Sequence, residues 1–191
     1  TICCGRPLLL TGRTEEAKAL IEKNKQIIGE SGAPILLVSC AICYRIFKED
    51  YDLEGVQVMH YTEYFEQLAA EGVIKLRKQE LNYVYHDPCE LGRGCGIYEA
   101  PRKALARVAN LVPAAKERKE SICCGGSLGS LTLTHEERGR ITENSIRNLT
   151  ANSPDKIVTA CPLCMKTFSR QSEIKVVDFA QVIAENIVGS M

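Results

Sequence analysis

Apolar residues along the chain alternate between helical spacing and short continuous runs. From Thr14 onward they recur at positions 17, 20, 21, 27 and 28, the spacing of an amphipathic helix with threonine as its N-cap. A turn with proline leads into an apolar run at residues 35–39, which predicts a short buried strand. A short helix at 44–50, a strand at 56–59 and a helix with Tyr61, Phe65 and Leu68 on one face complete this first unit.

The same order of elements recurs in the second half of the chain. A helix after Thr134, strands at 156–160 and 174–177, a helix at 165–171 and a last helix through Ile187 match the first unit. The second unit also has an additional first part, with a strand at 82–85 and a helix around 99–110. Strands that alternate with helices pair in parallel. The sequence therefore predicts an α/β fold of two tandem pseudo-symmetric repeats, with short parallel sheets flanked by helices.

The two predicted repeats are not equally complete. Residues 1–78 correspond to the C-terminal half of a first repeat, which is therefore incomplete at its N-terminus, and residues 79–191 correspond to a complete second repeat. We expect about 40 further residues upstream of Thr1 that supply the missing part. The boundary near residues 77–79 is polar and contains neither glycine nor proline, which predicts that the two units pack together.

Charge and composition argue against several classes of function. Lys and Arg number 24 and Asp and Glu number 24, so the formal net charge is zero, unlike that of a nucleic-acid or anionic-membrane binder. No apolar run approaches the roughly 18 residues of a membrane span. The first residues lack the pattern of a secretory signal, so we expect a cytoplasmic protein without a nucleic-acid partner.

Cysteine is the one residue type that departs from ordinary usage. Two vicinal cysteine pairs are each followed by glycine. A C-x-x-C pair follows each of them after 35 and 36 intervening residues, respectively. A chain of 191 residues can bury a core without disulfide bridges, so these thiols are interpreted as metal ligands or redox groups. The ten are Cys3, Cys4, Cys40, Cys43, Cys89, Cys95, Cys123, Cys124, Cys161 and Cys164.

The predicted elements bring most of these thiols to one edge of a sheet. A strand that runs into C-x-x-C and then into a helix places both sulfurs at the carboxyl edge, where backbone N–H groups favour thiolate. A vicinal pair needs a bend to aim both sulfurs at one centre, and Gly5 and Gly125 allow it. Five thiols should meet in the second repeat, whereas structural zinc takes four. Soft thiolates suit zinc, copper(I) and iron–sulfur clusters, so an iron–sulfur cluster, a zinc ion and a redox dithiol all stay open.

This arrangement resembles the cysteine-rich CCG domain family. The family pattern is a lone cysteine, then Cys-Cys-Gly, then C-x-x-C, and the second copy here reads Cys89, Cys123-Cys124-Gly125 and Cys161-Pro162-Leu163-Cys164. The run Tyr85-His86-Asp87-Pro88-Cys89 followed by Leu91-Gly92-Arg93 is also typical of it. The family includes the B-type subunit of heterodisulfide reductase and the iron–sulfur subunits of glycolate and lactate oxidases and of anaerobic glycerol-3-phosphate dehydrogenase.

The resemblance implies a cofactor and its ligands. It assigns an unusual non-cubane [4Fe-4S] cluster to five thiols, those of Cys89, Cys123, Cys124, Cys161 and Cys164. It extends only conditionally to the first repeat, where a fifth ligand is absent. The four thiols there would hold an incomplete second cluster, a zinc ion or nothing, and they are Cys3, Cys4, Cys40 and Cys43.

The resemblance also implies a role in electron transfer. Electrons would arrive from partner subunits or fused domains that carry cubane clusters or a flavin, and the module would pass them on or reduce a disulfide, as in heterodisulfide reductase. One alternative is the iron–sulfur subunit of a flavin-dependent 2-hydroxy-acid or glycerol-3-phosphate dehydrogenase that feeds quinone, with peripheral membrane association through a partner. A second alternative is a zinc-stabilised interaction module. No catalytic residue is assigned.

The remaining candidates have simpler interpretations. Cys95 is interpreted as a spare thiol in a glycine-rich loop, and His86 as either a donor to a cluster sulfur or a turn residue. His60 and His135 are placed at helix starts or on the surface. Arg93 and Arg102 are interpreted as solvated side chains rather than as contacts to an anionic substrate.

Overall fold

Helices and short strands alternate in the first part of the chain, as the apolar pattern predicts. The structure is a computed structural model that describes residues 3–126 and 132–190. Its first elements are α1 (Arg6–Leu10), α2 (Thr14–Glu30), β1 (Ile35–Val38), α3 (Ala41–Glu49), β2 (Gln57–His60), α4 (Tyr61–Ala70) and β3 (Ile74–Leu76). Helix α3 begins three residues earlier than predicted because Cys40, with an extended backbone, is its N-cap residue.

The second part of the chain continues the alternation. Its elements are β4 (Asn82–His86), α5 (Gly92–Cys95), α6 (Glu99–Ala106), β5 (Asn110–Leu111), a 3-10 turn (Arg118–Glu120), α7 (His135–Leu149), β6 (Lys156–Thr159), α8 (Pro162–Phe168), β7 (Lys175–Asp178), α9 (Phe179–Asn186) and β8 (Ile187–Ser190). Helix α7 begins with a capping box, in which Glu137 N donates to Thr134 Oγ1 at 3.2 Å and Thr134 N donates to the Glu137 carboxylate at 2.8 Å.

Two parallel sheets form the centre of the fold. Strands β1 and β2 pair in parallel, with Val38 opposite His60 at their carboxyl ends. The larger sheet has the order β5-β4-β6-β7, and all its pairs are parallel. Its strands β4, β6 and β7 end side by side at His86, Thr159 and Asp178. The predicted α/β class, with short parallel sheets flanked by helices, is confirmed.

One pair of strands is not anticipated by the apolar pattern. Residues 74–76 and 187–190 form the antiparallel pair β3–β8, which joins the end of the first part to the end of the described chain. The spacing of Ile187 continues the apolar face of α9 and predicts that it belongs to that helix. In the structure the helix ends at Asn186, and Ile187 adopts an extended backbone.

The two parts of the chain share one hydrophobic core. A single cluster of buried residues includes Tyr44 and Tyr61 from the first part and Tyr85, Phe168 and Phe179 from the second. Burial of such large side chains is the main favourable term in folding. The prediction that the two units pack together is therefore confirmed. Within residues 3–126 and 132–190, no helix combines the length and apolar character needed to cross a bilayer.

Candidate metal centre

The first group of thiols lies where α1 and α3 begin. Cys40 precedes α3 directly, Cys43 lies in its first turn, and the vicinal pair precedes α1. Gly5 supplies the bend after this pair with a left-handed backbone at φ 92°. The Cys43 thiol hydrogen-bonds to the sulfurs of both Cys4 and Cys40, and these bonds lower the pKa of each to about 6. The structure therefore brings this group together.

The second group forms a continuous chain of five thiols drawn from three separate segments. Cys89 follows β4, Cys161 is the N-cap residue of α8, and Cys164 lies in the first turn of that helix. The thiols contact one another in the order Cys89, Cys123, Cys124, Cys164 and Cys161. The sequence predicts that these distant residues meet at the carboxyl edge of the sheet, and the structure places them there.

The protonation pattern within this chain of sulfurs is uneven. Hydrogen bonds from Cys124 and Cys89 hold the pKa of the Cys123 thiol far below its usual value, and a bond from Cys164 lowers that of Cys161. The pKa values of the thiols that donate these bonds shift in the opposite direction. That of Cys124 rises to about 12, chiefly through its bond to Cys123. Two sulfurs of the five are therefore favoured as thiolates, the form that binds metal.

Backbone N–H groups add to the stabilisation of the vicinal pair. Gly125 N donates to Cys123 Sγ at 3.5 Å, and Gly126 N donates to Cys124 Sγ at 3.4 Å. Gly125 has φ 81°, and a Cβ there would lie 2.9 Å from Arg138 O. Glycine is thus required at this bend both for its backbone conformation and for the close approach of α7.

A narrow cavity lies beside the second group of thiols and reaches the start of α3, next to the first group. The cavity has a volume of about 10 Å³, and its walls include Cys89, Cys124, Cys161 and Cys164 together with Ala41 and Ile42 of the first part. The pKa of Cys161 is lowered chiefly by its bond to Cys164, and the charge of Cys40, which directly precedes Ala41, opposes part of that lowering. Both groups therefore belong to one region at the carboxyl edges of the two sheets.

The donor set fits a polynuclear cluster better than a single ion. Among the described residues, no three His, Cys, Asp or Glu side chains surround a common point as the ligands of one ion would. Five soft donors, one more than structural zinc takes, are linked pairwise by hydrogen bonds. Three buried polar atoms near the same strand ends lack a hydrogen-bond partner within residues 3–126 and 132–190. They are Tyr85 Oη, His86 Nε2 and Thr159 Oγ1.

A buried ion pair fixes the turn that carries Cys89. Arg102 donates to both carboxylate oxygens of Asp87, at 2.6 and 2.7 Å, and Arg118 N donates to the same carboxylate at 2.8 Å. Ser121 Oγ donates to Asp87 O at 3.1 Å, which connects this turn to the segment before the vicinal pair. The interpretation of Arg102 as a solvated side chain is wrong, because the residue is 9% exposed and paired with a carboxylate.

Several other candidates lie apart from the thiols or have structural partners. Cys95 is half-buried near Glu49, Arg45 and Lys48, and burial raises its pKa to about 11. Arg93 is also not purely solvated, since it donates to Ser121 O. Two of the histidines lie at helix starts: His135 is exposed at the first residue of α7, and His60 is the N-cap residue of α4.

The two buried histidines are neutral. Burial lowers the pKa of His60 to about 3 and that of His86 to about 4. His60 is fully buried, not a surface residue, and its Nδ1 lies 2.8 Å from Thr62 Oγ1. His86 packs edge-on against Phe168, with ring centroids 4.7 Å apart.

Contacts between the two parts of the chain are not apparent from the sequence. Arg45 Nη1 donates to Glu90 beside Cys89 at 2.9 Å, and the Tyr61 hydroxyl donates to Asp178 at 3.3 Å. No local signal reports such pairings. The only hint is positional, because each of these residues lies within a few positions of a predicted strand end or C-x-x-C motif.

Comparison with known proteins gives one family. The model of the CCG cysteine-rich domain matches residues 1–48 and 83–169. One subunit of dihydromethanophenazine:CoB–CoM heterodisulfide reductase from Methanosarcina acetivorans is 30% identical over 96% of this chain and 49% of its own length. EtfAB:quinone oxidoreductase from Syntrophomonas wolfei is 31% identical over 95% of this chain and 28% of its own length.

Another relative is named for a third activity. One subunit of the CoM/CoB fumarate reductase from Methanothermobacter marburgensis is 29% identical over 85% of this chain and 33% of its own length. The chain thus spans about half or less of the length of these relatives. Among solved structures, an aspartate racemase from Picrophilus torridus gives a TM-score of 0.45 at 15% identity, covering 88% of this chain and 66% of its own, a likeness too weak to bear on function. On the strength of the family match and of the cysteine pattern, the chain belongs to the CCG cysteine-rich domain family.

Proposed function

We propose that this chain is an iron–sulfur electron-transfer module of an oxidoreductase. Its non-cubane [4Fe-4S] cluster would be held by Cys89, Cys123, Cys124, Cys161 and Cys164. The observation that carries the proposal is the unbroken series of five thiols, linked by hydrogen bonds, from three segments separated by 33 and 36 residues of the chain. Family membership and the iron–sulfur relatives support it.

The surroundings of these thiols suit such a module. When bound, an iron–sulfur cluster supplies one-electron chemistry at a potential set by hydrogen bonds, charge and exposure. The chain contributes the N–H groups of Gly125 and Gly126 at two sulfurs and a neutral, buried His86 close to Cys123. The Asp87–Arg102 pair keeps the Cys89 turn in place. The two N–H groups bind the sulfurs, the ion pair orients the turn that carries Cys89, and the buried His86 helps to exclude water from the sulfurs.

The specific reaction is proposed by analogy with the relatives. Reduction of a disulfide fits the relative named as a heterodisulfide reductase subunit. A second candidate, transfer of electrons toward quinone from a flavoprotein partner, is favoured by the relative named EtfAB:quinone oxidoreductase. Both place the chain within a larger assembly of redox subunits or fused domains with cubane clusters or a flavin, in keeping with its partial coverage of these relatives.

The first group of thiols is proposed as a second, smaller site. Four sulfurs would bind there, with Cys4 and Cys40 favoured as thiolates, and would hold an incomplete cluster or a zinc ion. We propose the division into residues 1–78 and 79–191 on the same grounds. The sheet β1–β2 lies wholly within the first range and the larger sheet wholly within the second.

Metal analysis of the anaerobically purified chain tests the cofactor. We expect about four iron and four sulfide per chain from the second group, with fewer than four additional iron or one zinc per chain if the first group is loaded as well. Cys123→Ser and Cys161→Ser should each lose or rearrange the electron paramagnetic resonance signal. Cys95→Ser is the matched control and should leave the signal unchanged. One zinc per chain without sulfide would contradict the cluster and favour a zinc-stabilised interaction module.

A second experiment separates the two candidate reactions. The loaded chain is reduced and then mixed with either a small disulfide or a soluble quinone, and reoxidation is followed optically. Faster reoxidation by the disulfide supports the heterodisulfide-reductase-like role. Reoxidation by the quinone alone supports the second candidate, and reoxidation by neither contradicts both.

A further inference from the structure

A second, larger cavity lies between α7 and α8, on the far side of the bend that follows Cys124. Its volume is about 220 Å³, against about 10 Å³ for the cavity among the thiols. Gly125 and Gly126 form one wall, and side chains of the two helices form the others. Leu163 borders both cavities, so the larger one is a neighbour of the proposed metal centre but shares none of its sulfurs.

The charge lining this cavity is of one sign. Arg138, Lys166 and Arg170 reach it, and the described residues that line it include no Asp or Glu. Among the described residues, none of these three cations forms a salt bridge. Three cations are therefore concentrated at one place in a chain whose formal net charge is zero.

One of these cations has a buried donor without a partner. The Nε atom of Arg138 is inaccessible to solvent and makes no hydrogen bond within the described part of the chain. A buried N–H that makes no bond is costly, and guanidinium is the side chain whose geometry best matches an oxyanion. The nearest acidic residues on α7 have other partners: Glu136 pairs with Arg140, and Glu137 caps the helix. The orphaned donor and the unpaired charges thus indicate an anionic ligand.

The walls leave room for that ligand. The volume of about 220 Å³ exceeds that of a phosphate group, and the main chain at Gly126 forms a firm wall, since a Cβ there would overlap Thr167 Oγ1. Thr167 donates its hydroxyl to Leu163 O, and Thr142 donates its hydroxyl to Cys124 O. The charged donors left for a ligand are the three cations, and the polar side chains of His135 and Gln171 also reach the cavity. The number of cations and the cavity volume suit a phosphate group with a few attached atoms.

We propose that this cavity binds a phosphate-bearing small molecule through its phosphate group. The proposal goes beyond the electron-transfer function and does not depend on it. Because Thr142 links α7 to the Cys124 carbonyl, the bound anion would also place negative charge close to the vicinal cysteine pair.

Calorimetric titration of the full chain with inorganic phosphate, at low chloride, tests the site. We expect a dissociation constant below about 1 mM, and at least a tenfold increase in the double variant Arg138→Gln, Lys166→Gln. Arg140→Gln is the matched control, because Arg140 lies on the same helix, is exposed and pairs with Glu136. It should change the constant by less than about twofold. Equal binding in all three proteins, or none in the wild type, would overturn the proposal.

A second variant guards against misfolding, and a competitor distinguishes the source of the anion. Arg170→Gln changes one exposed side chain, should leave the circular dichroism spectrum unchanged and should still weaken phosphate binding. Deca-glutamate represents the acidic surface of a protein partner. If phosphate displaces it or it fails to bind, the small-molecule site stands. If deca-glutamate binds, Arg170→Gln abolishes that binding and phosphate does not displace the peptide, the site belongs to a protein partner and the proposal fails.

Discussion

Replacing Arg102 by methionine tests whether the turn before Cys89 depends on its buried ion pair. The side chains of Arg102 and Asp87 are 10% and 3% exposed, so methionine would leave a carboxylate in the interior with one remaining donor, Arg118 N. Removal of one partner from a buried pair costs about 3–5 kcal/mol. A domain of this size is stable by only about 5–15 kcal/mol, so at least about a fifth of the total would be lost.

The double variant Asp87→Asn, Arg102→Met separates the orphaned charge from lost packing. Because an amide is neutral, the double variant should be more stable than Arg102→Met alone, although it removes more native groups. The free energy of unfolding is measured by urea denaturation monitored by circular dichroism. Arg140→Met, at an exposed pair, is the control and should cost less than about 1 kcal/mol. The reasoning is refuted if Arg102→Met costs no more than the control.

Three further predictions concern other parts of the fold. The pKa of His60 falls from 6.5 to about 3 on burial, so the unfolded state binds more protons between these values and stability falls as the pH drops through this window. Between pH 7 and pH 5, His60 should lower the free energy of unfolding by about 2 kcal/mol. The variant His60→Gln should lose this part of the pH dependence, as measured by urea denaturation at each pH. The same pH dependence in the variant and the wild type would contradict the prediction. Gly125→Ala should lower the free energy of unfolding by about 1–3 kcal/mol, because residue 125 has a positive φ. Gly139→Ala, within α7, is the control and should not destabilise the protein. Similar melting temperatures for the two variants in thermal denaturation would argue against strain at the bend. Tyr61→Phe removes the hydroxyl bond to Asp178 and should cost about 0.5–1.5 kcal/mol in urea denaturation, with no loss expected if that bond is not formed in solution.

Most elements of the fold could be predicted from the sequence because their signals are local. Proline-containing turns, short apolar runs and helical spacing located β1, β6, α2 and α7 to within a few residues. The internal repeat then allowed one half to support the interpretation of the other. The prediction that five distant thiols come together followed from the topology alone, since parallel strands end at a common edge.

The rest could not be predicted because it depends on contacts between distant segments. The pair β3–β8 joins residues more than 100 positions apart, and nothing in the sequence around Ile187 distinguishes the end of a helix from the start of a strand. Arg102 was interpreted as solvated because arginine usually is. Its burial follows from the position of Asp87, which only the folded turn reveals. The charged cavity beside Gly126 has the same origin, since its cations come from α7, from α8 and from the turn after α8, about 30 residues apart in the sequence.

The β3–β8 pair constrains when this protein can finish folding. Strand β3 has no antiparallel partner until residues 187–190 have left the ribosome, although the first part of the chain is synthesised much earlier. Closing so long a loop carries an entropic cost, and other contacts offset it only once most of them have formed. We therefore expect this pair to be the last to form during refolding and the first to exchange its amide hydrogens in the native state. A nascent chain halted before Ile187 would leave Ile74 and Leu76 uncovered, and would be a natural substrate for chaperones.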